Sequence, residues 1–193
     1  PTVIGCSFID NQSTGGNGGN DDRGGDGGSG LGAAITINTG TPLIQNCIFR
    51  GNQALGGNAA SSTLSGATGG NGMGGAIYCA DNTAPTLLNC IFVNNTAEGG
   101  LGGNTTSREG GTGGSSLGGA VYMRSTPLNI TYCTFTGNSS IAGVGGSGSR
   151  VPGSDGGAYA GAIRSQSGST LTNSIVRNSL PSHFYGNATV TYS

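Results

Sequence analysis

The hydrophobic positions of this chain fall in short clusters that recur, in the same order, at long and nearly constant intervals. The clearest cluster is Asn89-Cys90-Ile91-Phe92-Val93-Asn94-Asn95. Earlier copies are Gly5-Cys6-Ser7-Phe8-Ile9-Asp10-Asn11 and Asn46-Cys47-Ile48-Phe49-Arg50-Gly51-Asn52. Later ones are Tyr132-Cys133-Thr134-Phe135-Thr136-Gly137-Asn138 and a degraded Asn173-Ser174-Ile175-Val176-Arg177-Asn178. The closing Asn falls at 11, 52, 95, 138 and 178, so the copies lie 41, 43, 43 and 40 residues apart. A period of that size marks a solenoid, a propeller or an array.

Each period has the same parts. A short apolar strand carries the Cys-x-Phe-x-x-Asn motif. A Gly-rich insert follows, at about 15–30, 56–72, 99–114 and 143–157. A second strand comes next: Leu31 to Ile35, Met73 to Tyr78, Leu117 to Tyr122, and Tyr159 to Ile163. Turns such as Asn82-Thr83-Ala84-Pro85 and Ser125-Thr126-Pro127 lead back to the next motif. Gly, Thr, Ser and Asn disfavour helix throughout, and no 3.6-residue apolar stripe exists. The tail fixes the size of a bare rung, because Val190-Thr191-Tyr192-Ser193 repeats Leu171-Thr172-Asn173-Ser174 19 residues on, with no insert between.

These features predict an all-β chain: a parallel β-helix of about five rungs, with the inserts stacked on one side. Like residues then form columns. One holds Val3, Ile44, Leu87, Ile130 and Leu171; a second Cys6, Cys47, Cys90 and Cys133; a third Phe8, Phe49, Phe92 and Phe135; a fourth Asn11, Asn52, Asn95, Asn138 and Asn178. Cys and Phe, two apart, share one strand face and are expected inside. The Asn column is expected at a corner, where Asn tolerates the left-handed conformation and its amide bonds backbone and stacked neighbours. Gly-Gly-x triplets such as Gly15-Gly16-Asn17 and Gly18-Gly19-Asn20 fit either an extended helix of the polyproline II type or a flexible loop.

Composition narrows the function more than the fold. Glycine fills 42 of 193 positions and only 33% of residues are hydrophobic, which suits a thin repeated core rather than a broad one. A net charge of −1 makes nucleic acid an unsuitable default partner. No apolar run has the length of a membrane span. The chain reads as one solenoid over 1–193, a piece of a longer protein.

Candidate chemistry is sparse. The Cys column admits buried free thiols, disulfides between rungs, or metal and redox chemistry; no Cys-x-x-Cys spacing exists, and His183 is the single histidine. Asp21, Asp22 and Asp26 form the one acidic group with oxygen ligands enough for Ca²⁺, and otherwise read as solvated loop acids. No Ser-His-Asp spacing or repeated carboxylate pair supports catalysis, so no enzyme activity and no cofactor are expected.

Gly-Gly-Ala-Ile/Val (Gly74 to Ile77, Gly118 to Val121) paired with Phe-x-x-Asn (Phe49 to Asn52, Phe92 to Asn95, Phe135 to Asn138) resembles the repeats of polymorphic outer-membrane proteins. It is also similar to right-handed parallel β-helix proteins of the bacterial surface. The first unit departs at Leu31-Gly32-Ala33-Ala34, the fourth at Tyr159-Ala160-Gly161-Ala162, and the last has Val176 for Phe. The resemblance implies a right-handed coil, an extracellular or cell-surface location, and adhesive or structural roles without shared catalytic residues. The expected function is a structural solenoid, a filament or stalk subunit stacking on copies of itself or on flanking rungs. The alternative is an adhesin segment that binds a surface glycan or protein through its inserts, with a polysaccharide-active enzyme well behind.

Overall fold

The computed structural model describes residues 1–106, 108–125 and 127–191. The expectations for Thr126 and for Tyr192-Ser193 lie outside the described residues. The architecture is an all-β solenoid in which every strand pairs in parallel with its counterpart one period away.

Five ladders run along the stack. The first joins Thr2–Ile4, Leu43–Gln45, Thr86–Leu88, Asn129–Thr131, Ser169–Thr172 and Ala188–Thr191. The second, the phenylalanine ladder, joins Ser7–Ile9, Ile48–Arg50, Ile91–Val93, Thr134–Thr136 and Ile175–Arg177. The third joins Gln12–Thr14, Gln53–Leu55, Thr96–Glu98 and Ser139–Ile141. After the insert comes the fourth, Gly30–Leu31, Gly72–Met73, Ser116–Leu117 and Ala158–Tyr159. The fifth, the tyrosine ladder, joins Ile35–Ile37, Ile77–Cys79, Val121–Met123, Ile163–Ser165 and Phe184–Tyr185.

The two strands read per period from sequence are therefore each divided by a corner. Gly32, Gly74, Gly118 and Ala160 (φ 42 to 66°) break what reads as one second strand into the fourth and fifth ladders. Asn46, Asn89, Tyr132 and Asn173 (φ 48 to 54°) divide the first strand just before the Cys column. A third corner column, Asp10, Gly51, Asn94, Gly137 and Asn178, has φ of 51 to 65°. These are residues that enter the left-handed region at low cost, Tyr132 and Ala160 excepted.

That third column corrects the sequence reading twice. The left-handed residue is the one before the recurring Asn, so Asn52, Asn95 and Asn138 act through their side chains rather than their backbones. In the last copy Thr136 pairs with Arg177, which puts Asn178 level with Gly137 and Ser179 level with Asn138. Ser179, buried like Asn138, closes the column, and Asn178 is an exposed corner residue.

The core is a column of like on like. The rings of Phe8, Phe49, Phe92 and Phe135 stack with centroids 4.9, 4.7 and 4.5 Å apart and planes within 4°, at the strand spacing of about 4.8 Å. Ile44, Leu87 and Ile130 from the first ladder and Ile77, Val121 and Ile163 from the fifth complete it. Burying each such side chain contributes roughly 1.5–3 kcal/mol.

The inserts form a second body with no apolar core. Each runs out and back as two antiparallel legs; in the first, the Gly28 and Gly25 amides donate to the Gly16 and Gly19 carbonyls (2.7 and 2.9 Å). A chain of glycine amides then runs through the bundle, alternately between inserts (Gly57 N to Gly28 O, Gly100 N to Gly70 O, Gly143 N to Gly114 O) and between the two legs of one insert (Gly70 N to Gly57 O, Gly114 N to Gly100 O, Gly156 N to Gly143 O), all 2.8–2.9 Å. Close contacts recur every third residue, as at Gly99 and Gly102 or Gly110 and Gly113, the period expected of polyproline II-type legs. The insert backbones are ordered by one another rather than free in solvent.

Candidate functional site

The columns singled out in the sequence are parts of the frame. In the Asn column each Nδ2 donates to the Oδ1 of the next Asn (Asn11 to Asn52 and Asn52 to Asn95, 2.8 Å; Asn95 to Asn138, 2.9 Å). Each Oδ1 also accepts the backbone N–H of the Asn one rung earlier, as from Asn52 (3.1 Å) and Asn95 (2.9 Å). A further bond runs from Nδ2 to the Phe carbonyl one rung earlier, from Asn95 to Phe49 and from Asn138 to Phe92 (3.0 Å). This saturates an amide in a buried site, where an unpaired one costs about 1–3 kcal/mol.

All five cysteines are free thiols; Cys6 is exposed and Cys47, Cys79, Cys90 and Cys133 are buried. Burial pushes the Cys79 thiol up to about 12 and raises Cys47 as well. The hydrogen bond with Cys90, with burial adding, raises Cys133, so that it stays protonated beside its neighbour. Two acids of the first insert, Asp21 and Asp26, accept from insert backbone. Asp21 Oδ1 accepts from Arg23 N (2.9 Å) and Asp26 Oδ1 from Thr68 N in the next insert (2.6 Å). Among the described residues no group of three or more His, Cys, Asp or Glu side chains is placed to hold a metal ion. Nor is any helix of the described residues long and apolar enough to cross a membrane. His183 lies with Nδ1 3.1 Å from the Ser179 carbonyl and faces none of the other candidates.

The triplet pattern of the inserts has a chemical reason. In each leg two of three residues face other legs, and the third faces outward. Where that third residue is Asn, its Oδ1 accepts the N–H of the outward residue stacked on it: Asn17 from Asn58 (2.9 Å), Asn58 from Leu101 (2.9 Å), Asn71 from Ser115 (2.7 Å), Asn104 from Ser147 (2.7 Å). These are N–H groups the glycine network does not reach.

What sequence reasoning missed is a groove of about 470 Å³ where the base of the insert bundle meets the fifth ladder. Tyr78 and Tyr122, register partners in adjacent rungs, form its floor with ring centroids 5.7 Å apart. Leu31, Met73 and Leu117 of the fourth ladder, with Ser29 and Asn71, make one wall. Arg124 and Gln166 make the other. Gln166 Nε2 donates to the Tyr122 hydroxyl (3.1 Å). Arg124 Nε lies 3.4 Å from Asp81 Oδ2, and its guanidinium is held more firmly protonated by the Tyr78 hydroxyl and by Asp81. Asp81 also accepts from Ser125 Oγ.

One rung beyond Tyr122, at the same register, stands Arg164. Its guanidinium carbon is 4.2 Å from the centre of the Tyr159 ring, 5.2 Å from Tyr185 and 5.8 Å from Tyr122, inside cation–π range. Arg164 Nε and Nη1 are buried with no hydrogen-bond acceptor among the described residues. The available signal was the outward column Tyr78, Tyr122, Arg164, each one residue after the inward Ile77, Val121, Ile163.

No protein-family model, curated protein or solved structure matches the chain, so the fold and its surfaces rest on the chain's own register.

Proposed function

We propose that this chain is a non-catalytic, extracellular structural β-solenoid, coiled right-handedly in about five rungs, that serves as a filament or stalk subunit by stacking end to end. The observation that carries the reading is the destination of its polar chemistry. Asn binds Asn and Phe lies on Phe one rung away, and glycine binds glycine across neighbouring legs, so the repeated residues satisfy one another. The first insert carries the same chemistry on its outer side. Gly16 is exposed, whereas its counterparts Gly57, Gly100 and Gly143 are covered by the insert before. Unpaired strand edges and glycine legs of this kind template further pairing. The resemblance to polymorphic outer-membrane repeats supports the surface location.

Electron microscopy and sedimentation of the purified chain over a micromolar range test the reading. Regular filaments of one-solenoid width are the expected result. Separate short rods at every concentration sink it. A reducing-sugar assay on common polysaccharides is expected to stay blank. The second reading, an adhesin segment, is favoured by the tyrosine-floored groove, which contributes nothing to stacking; retention on a glycan array by unassembled rods supports it over the first.

A further inference from the structure

The insert bundle has two outer sides, and they are built differently. Its inner contacts repeat three times. The outgoing leg of each later insert donates two amides to the return leg of the insert before it. Gly57 and Ala60 donate to Gly28 and Gly25, Gly100 and Gly103 to Gly70 and Ala67, and Gly143 and Gly146 to Gly114 and Gly111, all at 2.8–3.0 Å. Gly16 and Gly19 hold the same positions in the first insert, by the register that sets Thr14 level with Leu55. Their amides have no acceptor among the described residues. A Cβ on either would meet nothing within 4 Å. Glycine at position 16 therefore serves no contact inside the chain, whereas a Cβ on Gly57, Gly100 or Gly143 would run into a carbonyl of the insert before.

The opposite side is closed. Gly110 and Gly113 face the last insert, where a Cβ would run into the carbonyl oxygens of Gly146 and Gly143. In the last insert, the pairings of Glu109 with Val151 and of Ser116 with Ala158 put Pro152 and Asp155 at these positions. Pro152 has no amide to send forward, where Gly110 sends its own to Val151 (3.0 Å). Asp155 Oδ1 takes the Gly145 amide (2.9 Å), whose counterpart in Gly102 reaches forward to Val144. Proline and charge are the usual means of blunting an open edge. The last insert turns both outward; Gly16 and Gly19 offer neither.

We propose that the outer face of the first insert docks a two-legged, glycine-faced insert of a partner protein, whose return-leg carbonyls accept from Gly16 and Gly19. The occupant follows from continuity, since this face is one half of an interface the chain already makes three times. A second copy does not supply the other half: its last insert turns Pro152 and Asp155 outward, and its earlier inserts are covered. A β-strand does not match either. The two donors lie three residues apart, the polyproline II period, and a strand edge repeats every second residue. The docking goes beyond end-to-end stacking, which joins strand edges, and is independent of it.

The test adds two head-to-tail cyclised peptides, copies of residues 99–114 and of residues 142–157, to dilute, unassembled protein. Amide exchange at Gly16 and Gly19 is the readout. The 99–114 ring presents Gly110 and Gly113 and is expected to slow exchange at both amides about tenfold or more, with Ile91–Val93 unchanged. The 142–157 ring presents Pro152 and Asp155 and is expected to bind about tenfold more weakly or worse. Gly16→Ala puts a methyl group into the contact and touches nothing in its own chain. It is expected to remove the protection at an unchanged melting temperature. Absence of protection by the 99–114 ring overturns the proposal. So does equal binding of the 142–157 ring, or protection undiminished in Gly16→Ala. Because the protein is kept below its assembly range, failure here leaves the filament reading standing, and failure to form filaments leaves this docking standing.

Discussion

The solenoid and the insert bundle are two stacks built on the same axis by opposite means. The solenoid is held by what its side chains fill: Phe49, Phe92 and Phe135 are fully buried, the first two stacked between phenylalanines and the third between Phe92 and Val176. The bundle is held by what its residues lack. A Cβ on Gly57 would sit 2.1 Å from the Gly16 carbonyl oxygen, on Gly100 2.0 Å from that of Gly57, and on Gly143 2.0 Å from that of Gly100. Among the glycines of the inserts only Gly24 has a positive φ. Glycine is required there for the space it leaves, not for a conformation other residues avoid. One stack excludes water with hydrocarbon, the other with backbone.

The sharpest way to break that comparison is Phe92→Ala. Removing a fully buried ring from the middle of its stack should cost about 3–5 kcal/mol, read as a fall in the denaturation midpoint. Amide exchange in both bodies is expected to accelerate, because the bundle legs are rooted in the third and fourth ladders. A midpoint unchanged from the parent protein contradicts the assignment of the core.

A titration separates the two bodies next. The native Cys79 thiol stays neutral up to about 12, against 9.0 when unperturbed, because burial penalises the thiolate. The unfolded chain therefore gives up that proton first. Stability from this group is full below about pH 9 and falls as pH rises towards 12, by at most about 4 kcal/mol. Cys79→Ala should flatten the stability–pH curve over that window while tyrosine titration stays common to both proteins. A curve of unaltered slope rules out burial as the cause.

The smallest effects are the most discriminating, since they use one substitution at two places. Gly100→Ala should cost about 1–3 kcal/mol, expressed as faster exchange at Gly70, Gly100 and Gly114 with Ile91–Val93 unaffected. Gly16→Ala, where a Cβ meets nothing within 4 Å, should be neutral or slightly stabilising, by at most about 1 kcal/mol. Equal losses at both positions would mean that glycine matters for its flexibility after all.

Much of the frame is legible in the chain because a repeated side chain stacks on itself. The Phe and Cys columns need only the period to be counted. The corners are harder to read, since Gly51, Asn94 and Gly137 differ in kind while sharing one backbone conformation. The register of the last copy turned on a single position, where Ser179 replaces Asn and a neighbouring Asn178 offers a decoy. Order in the inserts is not legible in the sequence, which fits legs and loops alike, because the deciding contacts are between backbones, which carry no letter there. The groove is hidden in the sequence because its parts come from four separated places, around 29–31, 71–78, 117–124 and at Gln166, and meet only through the ladder register.

The glycine bundle also changes how a digestive enzyme meets this protein. Long glycine-rich surface segments are ordinarily where chains are nicked. A protease needs a strand it can pull straight and a side chain for its specificity pocket, and the legs offer neither: their amides are engaged and their inner positions are bare. Three of the seven arginines, Arg23, Arg108 and Arg150, sit exposed near the tips where the legs reverse. Trypsin would clip there, at the far end from the solenoid. The severed legs would remain bonded to their neighbours. A molecule cut in this way loses its outermost turns and keeps its shape.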